Sequence, residues 1–405
     1  MEILFPIFAA LSIIGLLAYA LQVWAVRCRA AHTPLLAGEE KSSPRLFPSV
    51  SILKPLKGLD DNLFDNLESF CRLDYPEYEI ICSLQNENDP ACKVARHIKE
   101  KYPEKDITVH IERCVSGLNP KVNNLIPAYR ISKYSHILIS DSNVMVRSDY
   151  LKSIMPEMQD PSVGLVSNLI RGMGGSSIGA AMENLHLNSF VMGSVSFLDK
   201  FLKMPCVVGK SMLMKKEDLE AIGGLAGVND VLAEDYLIGK KIYERGKRVV
   251  LSGHLVDNVN EYWGFRKFLN RHTRWGKLRW QIGGFKYISE LICNPVFMAV
   301  MPMLLIGISL KTAAFAAGVS LCKLTGDFLI GRKIGTDMTL SSYMLSPLKD
   351  IVIGIIWFVP LLSKTVIWRG NRYLIGKDSI LSPCPDTGLM SYKYRIFDTI
   401  KERLA

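Results

Sequence analysis

The chain has 405 residues, 49% of them apolar and 22% charged, and 49 Lys plus Arg against 39 Asp plus Glu leave a formal charge of +10. That much apolar material excludes a disordered tail, a collagen and a mini-protein, and the length allows roughly two or three structural units. The 9 cysteines show no CxxC pair and no histidine at metal-ligand spacing, so a zinc site or disulfide scaffold has no support and a reducing compartment fits.

Residues 3–26 carry no charge and are followed by Arg27, Arg29, Lys41 and Arg45. The run is long enough to span a bilayer. A cleaved signal peptide is the alternative, but the run is too long for one. The basic residues also follow it rather than precede it, and Cys28-Arg29-Ala30 is a poor cleavage site. An anchor with its basic flank inside would hold everything after residue 27 in the cytosol.

From residue 48 to about 289, short apolar runs alternate with helical patterns. Residues 49–53, 79–84, 107–111 and 136–140 read as strands, and 61–72, 90–101 and 122–132 as helices. Such alternation predicts a mostly parallel sheet covered on both faces, with ligands beyond the carboxyl ends of the strands. Polar clusters follow the strands there: Lys54-Pro55-Leu56-Lys57-Gly58, then Gln85-Asn86-Glu87-Asn88-Asp89-Pro90, then Asp141-Ser142-Asn143. Asp89 before Pro90 also reads as a helix N-cap. Neither GxGxxG nor GxxxxGK[ST] follows a strand, so a dinucleotide site and a P-loop are not indicated.

After residue 289 the character changes. Residues 291–310 and 312–330, separated by Lys311, predict a transmembrane hairpin, and 350–368, with Pro360 and Lys364, is a third apolar stretch of shallow or re-entrant type. The crossings stay open at three or four. A transporter with a cytosolic domain is the competing class, and the expected lack of paired intramembrane charges and of an internal repeat argues against it. The basic residues concentrate beside apolar segments, which argues against nucleic acid as a partner. Residues 171–201 read as a lid or a tunnel wall, and the methionine-rich stretch 204–214 as packing.

Four segments carry chemistry: Asp89, Asp141, Glu234-Asp235 at the head of a helical pattern over 236–245, and Arg271-His272-Thr273-Arg274-Trp275, which fits [QR]xxRW. Alone, Glu234 and Asp235 read as a helix cap, and 263–280 as an amphipathic helix in the headgroup plane. Arg271 and Arg274, three apart, share a helix face and can address one diphosphate or headgroup. In this order and spacing the segments resemble the processive and lipid-directed glycosyltransferases. Leu53-Lys54-Pro55-Leu56-Lys57-Gly58, Leu73-Asp74-Tyr75-Pro76, Asn119-Pro120-Lys121-Val122-Asn123-Asn124-Leu125 and Asp141-Ser142 resemble the ceramide glucosyltransferases in particular. Trp368-Arg369-Gly370-Asn371-Arg372-Tyr373 is similar to the closing WRGxxY of membrane glycosyltransferases.

The resemblance implies an α/β fold of the nucleotide-sugar-binding GT-A type with N- and C-terminal transmembrane helices. It implies inverting transfer of a hexose, glucose first, from a UDP-sugar to the primary hydroxyl of ceramide. UDP-N-acetylglucosamine or UDP-glucuronate as donor, or a hopanoid polyol as acceptor, are the alternatives. It implies Asp235 as general base with Glu234 beside it, Asp89 at the nucleobase and ribose, and Lys54 and Lys121 at uridine or phosphate oxygens. Arg271 and Arg274 would hold the leaving diphosphate, Trp275 the acceptor's entry, and Asp141 a divalent cation, Mg²⁺ or Mn²⁺. The second acid that such sites often carry two positions on is here Asn143, a weaker ligand for a hard ion. At the helix N-terminus Asp235 is expected to have a lowered pKa. The division expected is an anchor at 1–27, a cytosolic catalytic domain at 48–262, interfacial helices at 263–289, a membrane region at 290–368 and a cytosolic tail at 369–405. The membrane would be a bacterial inner membrane, or Golgi or endoplasmic reticulum in a eukaryote.

Overall fold

The computed structural model describes residues 3–31, 47–368 and 371–384. Lys41, Arg45, Arg369 and the tail from 385 onward lie outside the described residues.

Leu4–Ala31 is a single helix of 28 residues. At about 1.5 Å per residue it reaches about 42 Å, more than the roughly 30 Å of a hydrocarbon core. It packs against the helices Met192–Leu202, Pro295–Leu305 and Leu310–Ile334. Arg29 ties its base to the α/β unit by pairing with Asp199 and donating to the Leu251 carbonyl at 2.8 Å.

The strands are β1 (Val50–Pro55), β2 (Tyr78–Leu84), β3 (Ile107–Ile111), β4 (His136–Ser140), β5 (Val144–Met145), β6 (Val163–Met173), β7 (Ser211–Lys215) and β8 (Arg248–Val259). They form one sheet in the order β3-β2-β1-β4-β7-β6-β8-β5. Pairs β1–β2, β1–β4, β2–β3 and β6–β8 are parallel, whereas β4–β7, β6–β7 and β5–β8 are antiparallel. The sheet is therefore mixed and mostly parallel. β7 runs antiparallel to both of its neighbours, β4 and β6.

Every residue of β1 is buried. Its period of two sends Val50 and Ile52 into one core and Leu53 into the other, as expected for a strand covered on both faces. The helices Leu63–Cys71, Pro90–Lys101 and Pro120–Ile131 cover the first half. Pro120–Ile131 starts earlier than its apolar spacing indicates. Asn119 caps it, accepting from the N–H of Lys121 and of Val122, and Pro120 supplies a fixed φ at the first turn.

Among the described residues three helical stretches are long and apolar enough to cross a membrane: Leu4–Arg29, Leu310–Ile334 and Leu340–Leu362. Of the hairpin expected from the sequence, the second arm is the helix Leu310–Ile334, while the first arm differs in shape and, joined to the segment before it, makes a bent pair that could serve as a fourth span. That first arm contains only the 11-residue helix Pro295–Leu305, about 16 Å long, bent by 69° from the helical segment Phe265–Ile292. Asn294 caps it and Pro295 restarts the chain in a new direction. The third stretch begins at Leu340, ten residues before the expected start, and 365–368 is not helical. Thr365–Trp368 is strand β9, which forms a small antiparallel sheet with β10 (Asn371–Ile375) and β11 (Leu381–Pro383).

Both ends of Leu340–Leu362 are held to the α/β unit and its adjoining helix. Gly174 N–H donates to Asp337 at 2.9 Å before it, and Lys277 Nζ donates to the Thr365 carbonyl at 2.6 Å after it. The expectation that these segments lack paired charges is also corrected. Lys323 contacts Asp327 at 2.6 Å and Asp350 at 3.6 Å, Lys349 contacts Asp350 at 2.8 Å, and Ser346 donates to Asp327. Burying such charges demands partners, and here they are supplied locally.

Candidate active site

The carboxyl ends of β1 and β4 lie side by side, and Asp141 follows β4 at that edge. The helix Glu234–Glu244 brings Glu234 and Asp235 to the same edge, and the helix Phe265–Gly283 lays Arg271, Arg274 and Trp275 across it. Between them is a cleft of about 430 Å³ lined by Lys121, Asp141, Asn143, Lys210, Glu234, Asp235, Lys267, Arg271, Arg274, Trp275 and Trp368, among others. Val191, Val195, Val207 and Leu278 give it an apolar side. Val191 and Val195 belong to the helical stretch expected to form a lid or wall.

Asp141 sits between two ammonium groups, with Lys121 at 2.8 Å from one oxygen and Lys210 at 2.9 Å from the other. Burial alone would raise its pKa, but the two lysines overcome this and hold it well below the carboxylate range. Lys121 also contacts Glu234 at 2.9 Å and donates to the Gly209 carbonyl at 3.0 Å, so all three of its N–H groups are used. Its pKa is raised, because the surrounding carboxylates outweigh the burial that opposes its charge. Lys210 donates to Asn143 Oδ1 at 2.6 Å.

Asp235 Oδ2 accepts from Gly209 N–H at 2.9 Å and Oδ1 from Tyr236 N–H at 2.8 Å. The lowered pKa expected of it is corrected. Burial pushes it up to about 6, with the Glu234 carboxylate adding to the rise against Lys121 and the two backbone donors. Glu234 is buried and also accepts from Asn119 Nδ2 at 3.1 Å.

Arg271 is held in place from three sides. Its Nε lies 3.2 Å from Glu183, and its guanidinium stacks 4.3 Å from the Trp275 ring centroid and 5.0 Å from that of Trp263. Glu183 also accepts His272 Nε2 at 2.8 Å. Although burial works against its charge, Glu183 is held below the ordinary carboxylate range by Arg271 and His272.

Two expected site residues do not line the cleft. Lys54 is fully buried beneath it, donating to the Asp141 carbonyl at 2.7 Å and to Ser140 Oγ at 3.3 Å, with Phe70 at 3.9 Å. Burial lowers its pKa to about 7. It shapes the end of β4 instead of reaching a ligand. Asp89 is the N-cap of Pro90–Lys101, accepting from Ala91 N–H at 2.9 Å and from Gly58 N–H at 2.9 Å.

The divalent cation that the resemblance implies fits this donor set poorly. Among the described residues no three His, Cys, Asp or Glu side chains converge on a point. Both oxygens of Asp141 are engaged by ammonium groups, and so is the amide oxygen of Asn143.

Sequence reasoning missed Lys210 and Glu183. Lys210 lies within the stretch 204–214 that read as packing, and Glu183 sits inside a helix without a motif. The one signal for Lys210 was a Gly-Lys pair directly before a strand.

The α/β unit thus carries acidic and basic side chains at its ligand edge, with apolar helices beside it. Glycosyl transferase family 21 matches the chain over residues 7–381, and the chain belongs to that family. It is 29% identical over 333 residues to ceramide glucosyltransferase 3 of Caenorhabditis elegans, covering 80% of this chain and 72% of that one. It is 29% identical over 345 residues to ceramide glucosyltransferase 1 of the same organism, covering 80% and 71%. The solved mannosyltransferase PcManGT of Pyrobaculum calidifontis, in complex with GDP-Man and Mn²⁺, is similar at a TM-score of 0.47 and 16% identity, covering 88% of this chain and 98% of that one.

Proposed function

We propose that this enzyme transfers glucose from UDP-glucose to the primary hydroxyl of ceramide, with inversion, at the cytosolic face of a membrane. The observation that carries the reading is the single cleft in which Asp235 and the lysine-bound Asp141 face Arg271, Arg274 and an apolar wall. The relatives named ceramide glucosyltransferase support the sugar and the acceptor.

In this reading the acceptor oxygen attacks the anomeric carbon on the face opposite the diphosphate. Its proton passes to Asp235, the bond from the anomeric carbon to the diphosphate oxygen breaks, and UDP leaves with the electron pair. A base with a pKa near 6 is ionised at neutral pH and more basic than an ordinary aspartate, which suits proton abstraction. Arg271 and Arg274 take up the charge that grows on the diphosphate, and Glu234 sets the basicity of its neighbour. Trp275 fixes the Arg271 plane and borders the acceptor's entry. Asp89, through its hold on Gly58, shapes the loop after β1 for the nucleobase, while Lys54 and Lys121 position Asp141 and Glu234.

The membrane segments then have a physical use. Lifting a lipid acceptor into water costs roughly 0.8 kcal/mol per methylene, so the reaction belongs at the interface. The anchor at 1–27, the interfacial helices at 263–289 and the apolar stretches between 290 and 362 hold the catalytic domain at 48–262 there, with the strand Thr365–Trp368 on the side of the cleft.

The test is UDP release by purified enzyme with ceramide and a panel of UDP-sugars, with products weighed by mass spectrometry. Glucosylceramide as the main product is expected. A different hexose, a polyol acceptor, or no UDP release would overturn the assignment.

A further inference from the structure

We propose that the Lys210 ammonium holds the donor diphosphate at the place where a divalent cation would stand, so that donor binding needs no metal ion. The inference rests on the reading of the cleft as a nucleoside-diphosphate-sugar site.

Three lysines surround Asp141, and their bonding sets them apart. Lys54 is buried beneath the cleft and spends its donors on Ser140 and the Asp141 carbonyl. Lys121 lines the cleft, but Asp141, Glu234 and Gly209 take all three of its N–H groups. Lys210 lines the cleft and bonds Asp141 at 2.9 Å and Asn143 at 2.6 Å, which leaves a third N–H beyond those two partners. Arg271 and Arg274 line the same cavity, so a diphosphate there meets positive charge on more than one side.

Charge counting gives the same answer. Two carboxylates around a divalent ion sum to zero. Here Asp141 and Glu234 face two ammonium groups, Lys121 and Lys210, and also sum to zero, with the Asn143 amide adding no charge. Asn143 and Lys210 thus form a matched pair. An amide in place of a second acid removes the charge that would hold a hard cation, and the lysine supplies the positive end that the phosphate oxygens require. Placing a metal ion between Asp141 and Asn143 would need Lys210 to leave both of them, against its own charge.

The test is UDP binding by calorimetry on the full-length detergent-solubilised protein, with EDTA, Mg²⁺ or Mn²⁺. The wild-type dissociation constant is expected to agree within about twofold across the three conditions. Lys210→Met should weaken UDP at least tenfold in EDTA while weakening uridine little, because the lysine serves the phosphates. Lys210→Met combined with Asn143→Asp should regain UDP affinity only when Mn²⁺ is added, with Mn²⁺ binding read independently by electron paramagnetic resonance. Wild-type binding that disappears in EDTA and returns with metal would overturn the proposal and leave the donor site standing. Wild-type protein that binds UDP under none of the conditions would instead overturn the donor-site reading and this proposal with it. The wild-type arm decides the metal question even where a Lys210 variant fails to fold.

Discussion

The backbone N–H of Gly209 donates to Asp235 Oδ2 at 2.9 Å, and a Cβ on Gly209 would stand 2.5 Å from that same oxygen. The proposed base is therefore held by a residue that has room for no side chain. Gly209→Ala is expected to push the carboxylate aside and lower kcat by about 100-fold, since a misplacement on the order of 1 Å costs that much. The donor's KM should change little. Steady-state kinetics that split kcat from KM check this, and an unchanged kcat would refute it.

Asp235→Asn should abolish transfer while leaving UDP affinity within about threefold, because it removes the proton acceptor and none of the cationic groups. Product formation and UDP calorimetry on the same preparation measure the two effects. Retained turnover would dismiss Asp235 as the base.

The pH profile follows from the raised pKa of Asp235 at about 6. The base works only when ionised, so kcat/KM should rise about tenfold per pH unit below 6 and level off above it. Glu234→Gln removes the neighbouring negative charge and makes ionisation of Asp235 easier. The acid limb should then move to lower pH. A limb that stays in place, or moves up, would contradict the coupling between the two residues.

Glu183 is buried with Arg271 and His272 as its partners. Glu183→Ala should destabilise the protein by about 3–5 kcal/mol, the cost of leaving a buried partner uncompensated. Thermal unfolding in detergent measures this. In the residual folded enzyme, loss of the Arg271 anchor should raise the donor's KM.

Because both ends of Leu340–Leu362 are hydrogen-bonded to the α/β unit and its adjoining helix, this stretch is expected to enter and leave on one side. Single cysteines at the exposed positions Ser341 and Lys364, in a chain otherwise free of cysteine, should both react with an impermeant maleimide from the side that labels the catalytic domain. Reaction from opposite sides would make the stretch a true crossing.

The elements most legible in the sequence were those whose signals are local. Pro90–Lys101 announces itself by Asp89-Pro90, and β3 and β4 by short apolar runs between polar clusters. Glu234-Asp235 and RxxRW were found because motif spacing survives without knowledge of the fold. The state of these groups was less visible. The pKa of Asp235 depends on burial and on Lys121, which is 114 positions away in the chain, and the helix N-terminus alone pointed the wrong way. Lys210 meets Asp141 across the β4–β7 pairing, an antiparallel contact that no periodicity encodes. The bend at Asn294-Pro295 was missed because hydropathy counts apolar residues and is blind to direction.

The small C-terminal sheet reaches back to the residues just ahead of Glu234. Leu232 N–H donates to the Ser379 carbonyl at 2.9 Å, Leu381 N–H to the Asp230 carbonyl at 2.7 Å, and Lys240 pairs with Asp378 at 3.1 Å. Ribosomes make these clasping residues 138 to 151 positions after the part they clasp, at roughly 5–20 residues per second. A nascent polypeptide therefore emerges without a finished catalytic centre, and competence arrives only once synthesis has passed the last apolar stretch.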